Sequence, residues 1–196
     1  IRPVIVTKFG SSTQGEVLLR NFTIERRIIN PQPPFYRSLT PPEPNEYGNN
    51  DNDLFGSSMS IHNEYLLIGA PYHNNMGFYN TGCVYLYTIE IVNEELDINY
   101  IQKINPPDVT DNFLHFGNSI KIYNDLVVIG ANRESGGWDP QYENDANQGS
   151  SYLFRIEKDA TTNTITVKFL IKMNSNELST AGLFGNTVDI YENYIA

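Results

Sequence analysis

The sequence predicts an all-β fold made of a repeated four-stranded unit. Strand-forming residues are abundant, since the 196-residue chain contains 13 Tyr and 10 Phe together with many Ile and Val. A sixteen-residue pattern also recurs without a gap, as FGSSMSIHNEYLLIGA at 55–70 and FGNSIKIYNDLVVIGA at 116–131. No segment has a convincing helical period. Together these observations indicate a repeat protein built from small sheets.

Four strands can be assigned within each repeat. The first alternates small or polar residues with apolar ones, as a strand does. The second is a continuous apolar run, which is typical of a strand covered on both faces. The fourth is more polar than the third. These strands are predicted at 57–61, 65–68, 83–89 and 99–104 in one repeat and at 118–122, 126–129, 150–156 and 165–173 in the next. Such antiparallel sheets, repeated at Phe-Gly spacings of 61 and 68 residues, describe the blades of a β-propeller.

The repeats divide the chain into four parts. Residues 55–115 and 116–183 form two whole blades, and residues 184–196 begin another with FGNTVDIYENYIA. Residues 1–54 form an incomplete blade, with an outer strand near 35–39 followed by a Pro- and Asn-rich connection. We therefore expect a partial β-propeller of about three to four blades of four antiparallel strands. We also expect the chain to be a segment of a longer protein.

The repeat resembles the FG-GAP repeat, which builds the β-propeller of integrin α-subunits. The resemblance is carried by Phe-Gly, a hairpin, an apolar run to Gly-Ala-Pro, and then Gly-x-Val-Tyr-Leu-Tyr, and it covers nearly the whole chain. The marker residues are Phe55, Gly56, Gly69, Phe116, Gly117, Gly130, Phe184 and Gly185. We interpret them as structural, with the Phe wedged between blades and the Gly allowing close backbone approach or a positive φ.

The resemblance implies a non-catalytic module for protein interaction or adhesion within a larger extracellular or cell-surface protein. Two alternatives stay open: a glycan-binding, lectin-like propeller, and the accessory propeller of an enzyme whose catalytic domain lies outside this chain. The chain has no nucleophile-elbow or zinc-protease motif, and no cofactor is expected. Asn21 begins a glycosylation sequon, Asn21-Phe22-Thr23.

The sequence predicts no metal site. Many FG-GAP proteins carry an Asp-rich calcium loop between the first two strands, but here that connection is HNE, YND or YEN. One acid cannot supply the six to eight oxygens that calcium takes. His62, His73 and His115 show no ligand spacing and are interpreted as surface groups. Cys83 opens a strand and is interpreted as an ordinary strand thiol.

Function is expected where the repeats differ. In a propeller, the loops between the second and third strands and the connections to the next blade share one face, and those loops are 71–81 and 132–148. Their aromatic candidates for ligand contact are Tyr72, Phe78, Tyr79, Trp138 and Tyr142. Exposed aromatic side chains can anchor a partner protein or stack on sugar rings. The alternative is that they fold back as lids on the blades.

The charge balance excludes some partners. The net charge is −10, from 13 Lys and Arg against 23 Asp and Glu, which argues against a nucleic-acid surface and against binding to anionic lipid. No apolar run approaches the roughly 20 residues needed to cross a bilayer, so no direct membrane insertion is expected. Acids before the Phe-Gly pairs are expected to favour a basic partner protein on that face. They are Asp51, Asp53, Asp108 and Asp111.

Overall fold

The fold is all-β, and the described residues contain no helix. The computed structural model describes residues 17–20, 36–44, 52–75, 77–93, 95–109, 112–134, 148–174, 183–192 and 194–196. Two four-stranded antiparallel sheets are accompanied by two strand pairs, and hydrogen-bonded neighbours always follow each other in the chain. This is the architecture of a partial β-propeller, as the repeats predict.

The strands of the described residues fall into four sheets, numbered in chain order. Sheet I contains β1 (Val17–Arg20) and β2 (Tyr36–Leu39). Sheet II contains β3 (Met59–His62), β4 (Tyr65–Ala70), β5 (Cys83–Val92) and β6 (Glu95–Ile104). Sheet III contains β7 (Phe116–Tyr123), β8 (Leu126–Ala131), β9 (Ser150–Lys158) and β10 (Ile165–Asn174). Sheet IV contains β11 (Ile190–Tyr191) and β12 (Tyr194–Ile195).

The strands differ from the predicted ones mainly at their ends. The outer strand β6 begins at Glu95 rather than at residue 99, because it pairs with β5 up to the turn. Both complete outer strands carry a β-bulge, at Ile101 in β6 and at Leu170 in β10. A bulge on an edge strand discourages pairing with another chain. The blade limits before residues 55, 116 and 184 stay a prediction.

Apolar side chains fill the spaces on both faces of sheet II. Successive strand residues point to opposite faces, so Leu66 packs towards sheet I while Leu67 packs towards sheet III. This explains why β4 is apolar at every position. The cluster between sheets II and III contains Tyr65, Leu67, Val84, Leu86, Ile104, Phe116, Ile120, Ile122, Val127, Ile129, Ala131, Tyr152, Phe154 and Ile156. The cluster on the other face contains Phe55 and receives Leu39 of sheet I.

The Phe-Gly backbone of one sheet lies directly against the Gly-Ala backbone of the sheet before it. A Cβ at Gly69 would overlap the carbonyl oxygen of Gly117, which also accepts a 2.6 Å hydrogen bond from Ser58 Oγ. The contact recurs one sheet later, where Gly185 O meets Gly130 and accepts a 2.7 Å bond from Ser119 Oγ. Glycine is therefore required here by close approach rather than by flexibility.

The Phe residues of these pairs differ in burial. Phe116 is fully buried, and its ring centroid lies 5.3 Å from that of Tyr152. Phe55 is buried against Tyr85, whereas Phe184 is 38% exposed to solvent. The Gly after each Phe has a positive φ, at Gly56 (88°), Gly117 (88°) and Gly185 (78°).

A Pro-Pro-acid arm follows the outer strand of sheets I and II and reaches the next sheet. Glu43, after Pro41-Pro42, contacts the Tyr100 hydroxyl and lies 3.2 Å from Lys103 Nζ. Asp108, after Pro106-Pro107, lies 2.7 Å from Lys172 Nζ and 2.9 Å from the Tyr152 hydroxyl. At these two boundaries, the arms therefore place a carboxylate beside a lysine of the following outer strand.

Glu134 adds a second carboxylate at the later boundary. It contacts Lys172 Nζ and lies 2.8 Å from the Tyr152 hydroxyl. Burial opposes the charged ammonium, but the hydrogen bonds to Asp108 and Glu134 outweigh it and raise the pKa of Lys172. Burial also raises the pKa of Tyr152, with Glu134 and Asp108 adding to it, so the hydroxyl stays protonated.

The close approach at Gly69 predicts a large cost for one methyl group. We expect Gly69→Ala to lower the free energy of unfolding by about 3 kcal/mol, because the new Cβ collides with a backbone carbonyl that cannot rotate away. The control is Gly77→Ala, where no atom lies within 4 Å and only a φ of 81° is unfavourable. That variant should cost about 1 kcal/mol. Equal urea midpoints for the two variants would contradict the close-approach explanation.

The arm contact predicts a smaller and salt-dependent effect. We expect Lys172→Met to cost about 2 kcal/mol of unfolding free energy, because Asp108 of the arm and the partly buried Glu134 both lose their cation. Lys168→Met, on the same strand but exposed, should cost less than about 0.5 kcal/mol. Urea unfolding at low and high salt measures both variants. If the two lysines prove interchangeable, the arm does not hold the sheets together.

Candidate functional site

A single surface forms where the loop after β4 meets the segment that leads into β7. The Phe113 amide donates to Tyr79 O (2.7 Å), and the Phe116 amide donates to Thr81 O (2.9 Å). Gly82 and Phe116 form a parallel bridge, so the two segments run side by side. We call residues 72–75, 77–82 and 112–115 the loop face. The same bridge recurs between Gly149 and Phe184, which shows that the arrangement belongs to the repeat.

Two aromatic residues are exposed side by side on the loop face. Tyr79 is 53% exposed and Phe113 is 52% exposed. Their backbones are joined by the Phe113–Tyr79 hydrogen bond, and the Tyr79 amide donates to Asn112 Oδ1 at 2.7 Å. The pair is therefore apolar, accessible and held on fixed backbone.

Phe113 also has a backbone conformation that suits it poorly. Its φ is 63°, in the left-handed region, and the matching residue before Phe55 is Asn52 with a φ of 72°. Asn tolerates this region, whereas the conformation costs other L-residues roughly 1–2 kcal/mol. Phe113 is not among the residues predicted from the sequence, because it lies outside the loops 71–81 and 132–148. The alignment of Asn52 with Phe113 was the signal that could have revealed it.

The other two described loop aromatics are less exposed. The Tyr72 ring lies 4.5 Å from the ring of His115, centroid to centroid, so it covers the lead-in segment of the next sheet. Phe78 is half-buried and closes a tight turn, in which it exchanges two backbone hydrogen bonds with Asn75. Trp138, Tyr142 and Asn21 lie outside the described residues.

Two histidines are buried, contrary to their interpretation as surface groups. His73 is fully buried, and its Nδ1 lies 2.7 Å from Oδ2 of Asp53, itself only 2% exposed. This pair ties the loop after β4 to the segment before Phe55. His115 is buried under Tyr72, and burial, with a smaller effect of the Arg133 charge, lowers its pKa to about 4.

Two of the four acids that were expected to make this face negative form ion pairs with other residues of the chain. Asp53 is buried with His73, and Asp108 pairs with Lys172. Neither therefore provides a free surface charge, and sequence reasoning could not foresee this because both partners are distant in the chain. Asp51 and Asp111 lie outside the described residues.

Within the described residues, the remaining reactive side chains form no catalytic arrangement. Cys83 is buried, and burial raises the pKa of its thiol, as expected of a strand thiol rather than a nucleophile. Among the described residues, no three His, Cys, Asp or Glu side chains converge as metal ligands. The described part of the chain also has no helical segment with the length and hydropathy of a membrane span.

The buried His115 predicts an acid-sensitive fold. The unfolded chain binds a proton here near pH 6.5 and the folded chain only near pH 4, so stability falls as the pH drops through this window and is fully present above it. The loss is about 3 kcal/mol. We expect His115→Leu to remove it, because Leu54 and Leu183 hold this position, also at positive φ, in the other repeats. Urea unfolding of both proteins at pH 7 and pH 4 measures the difference. Parallel pH profiles would show that His115 is not the group responsible.

The comparison with known families agrees with the geometry. The FG-GAP repeat family matches residues 48–87 and 99–154. These segments contain Gly69 and Gly117, which form one of the two close backbone approaches, and Gly130, which belongs to the other. No curated protein matches the chain at a significant level. FG-GAP repeats generally form non-catalytic interaction modules and typically occur in extracellular or cell-surface proteins. The chain is an FG-GAP repeat protein.

Proposed function

We propose that this propeller segment is a non-catalytic module that binds a partner protein through the loop face, within an extracellular or cell-surface protein. One observation carries the proposal: Tyr79 and Phe113 are adjacent and half-exposed, and Phe113 has an unfavourable backbone conformation. Folding alone gives no reason for a large aromatic residue at a left-handed and solvent-exposed position. Such strain is typical of functional positions.

The geometry suits recognition by rigid anchors. Aromatic side chains lose few rotatable bonds on binding and are enriched in the energetically dominant parts of protein interfaces. The hydrogen bonds from Phe113 to Tyr79 and from Tyr79 to Asn112 fix the backbone that presents them. Because the segments belong to neighbouring sheets, the packing of sheet II on sheet III sets the distance between the two anchors.

Phe113→Asn separates binding from folding. The substitution copies Asn52 of the preceding repeat, so the relief of backbone strain should offset the lost apolar contacts, and the unfolding free energy should change by less than about 1 kcal/mol. Partner binding should fall at least tenfold, as expected for loss of an interface anchor. Tyr79→Ser should behave alike. Ile171→Ser, at an exposed apolar residue of the outer strand, is the matched control and should bind normally.

The partner can be sought by photo-crosslinking. Benzoylphenylalanine placed separately at positions 79, 113 and 171 is exposed to extracellular protein of the source organism. The proposal expects one adduct common to positions 79 and 113, absent from 171, and competed by unmodified protein but not by Phe113→Asn. Identical adducts from all three positions would refute it. A glycan array tests the alternative, since a sugar bound by the parent chain and lost in Phe113→Asn assigns the face to glycan instead.

A further inference from the structure

The opposite end of the sheets carries a row of aromatic rings. His62, Tyr123 and Tyr191 are the last residues of the first strand in sheets II, III and IV. The ring centroids of His62 and Tyr123 lie 5.2 Å apart, and those of Tyr123 and Tyr191 lie 5.3 Å apart. The row thus crosses two sheet boundaries with the rings in contact. We call it the turn-end row, because the turns between first and second strands follow it directly.

The turn-end row is separate from the buried cores. None of its three residues belongs to either apolar cluster, and Tyr191 is 63% exposed while His62 and Tyr123 are partly exposed. The position itself does not demand an aromatic ring for strand pairing, since the pairs His62–Tyr65 and Tyr123–Leu126 are formed through backbone. A continuous aromatic surface is therefore presented to solvent at this end.

Acidic side chains predominate at the end of the sheets that carries the row. The turns and the adjoining strand ends at this end carry exposed acids on sheets II, III and IV, among them Glu95, Asp97, Glu157, Asp159 and Glu192. Basic side chains are fewer here. Lys121, two residues before Tyr123, lies 2.9 Å from Asp189, and Lys168 is exposed on β10. Two other basic residues pair with acids of the first turns. Arg155 lies 3.2 Å from Asp125, and Lys158 lies 3.8 Å from Glu64. The described charges at this end are thus predominantly negative.

The existing ion pairs do not block a ligand. All four partners in the Arg155–Asp125 and Lys158–Glu64 pairs are about half-exposed. Solvent-exposed pairs of this kind contribute little to stability, so an incoming cation can replace them at small cost. Aromatic faces attract ammonium and guanidinium groups as well, most often arginine. Rings flanked by exchangeable carboxylates therefore match a cationic chain.

We propose that the turn-end row binds an arginine- or lysine-rich segment of a partner protein, at a site distinct from the loop face. Charge complementarity selects this occupant, since anionic polymers and anionic lipid are repelled by the same acids. The site is periodic because sheets II, III and IV each carry one ring of the row. An acid follows each ring within two residues, and these acids are Glu64, Asp125 and Glu192. A segment with spaced cationic residues can use successive sheets in turn.

Fluorescence anisotropy with labelled nona-arginine tests the site. We expect the parent chain to bind it, and the double variant Tyr123→Leu/Tyr191→Leu to bind about 5- to 30-fold more weakly, because two cation–π contacts are lost at unchanged net charge. Tyr123→Phe/Tyr191→Phe keeps the aromatic faces and should bind like the parent. The matched control Tyr79→Leu/Phe113→Leu, on the loop face, should leave the affinity unchanged. Equal binding by the Leu variant of the row and by the parent would overturn the proposal, because it would reduce the binding to general charge attraction.

Hydrogen exchange on the unaltered chain gives an independent result that does not depend on a variant folding. Nona-arginine should slow amide exchange at residues 61–65 and 122–126, and nona-glutamate should not. Protection confined to residues 79–82 and 112–116 would assign cationic peptide to the loop face and overturn the proposal. Loss of partner binding at the loop face, with intact nona-arginine binding here, would leave this inference standing apart from the proposed function.

Discussion

The close approach of the Gly117 carbonyl to Gly69 is the constraint on which the rest of the structure depends. Backbone meets backbone across the sheet boundary without an intervening side chain, and Ser58 completes the contact by donating to the same carbonyl. Any side chain at Gly69 would push sheet III away from sheet II. The interlocking side chains of Val84, Leu86 and Phe116 would then lose their contacts. The repeated Phe-Gly and Gly-Ala marks are thus the two halves of one joint.

The same joint positions both surfaces that are proposed to bind partners. At one end, the parallel bridge between Gly82 and Phe116 brings Tyr79 beside Phe113. At the other end, the register of β7 carries Tyr123 to a fixed place beside His62, seven residues beyond the Phe of the joint. A small shift of sheet III relative to sheet II would separate Tyr79 from Phe113 and His62 from Tyr123. Binding surfaces built across sheet boundaries are therefore only as precise as the packing between the sheets.

The sequence was sufficient for features that repeat and insufficient for those that occur once. Strand order, the two-sided burial of β4 and the glycine positions all follow from patterns written at least twice. The Asp53–His73 pair does not recur in the next repeat, which has Leu114 and Glu134 at the corresponding positions. Nothing in one copy shows that two polar residues twenty positions apart will be buried together.

The Pro-Pro-acid arms show a further limit of reading one repeat at a time. LTPPE at 39–43 and INPPD at 104–108 are visible as similar segments, yet their carboxylates find partners only in the following sheet. A motif whose chemistry is completed by the next repeat looks like a linker when its own repeat is considered alone. Pairing each segment with the repeat after it would have suggested Lys103 and Lys172 as partners.

The loop face differs from one repeat to the next, whereas the turn-end row recurs. At the loop face, the alignment places Asn52 in one repeat and Phe113 in the next, so these two boundaries present different surfaces, and Phe113 does so at some cost in backbone conformation. At the turn end, His62, Tyr123 and Tyr191 place an aromatic ring on each side of the boundary between sheets II and III and of that between sheets III and IV. A varied surface suits recognition of one folded partner whose own features are not periodic. A periodic surface suits an extended chain that presents the same chemistry at intervals, which is why we assign the two ends to different kinds of partner.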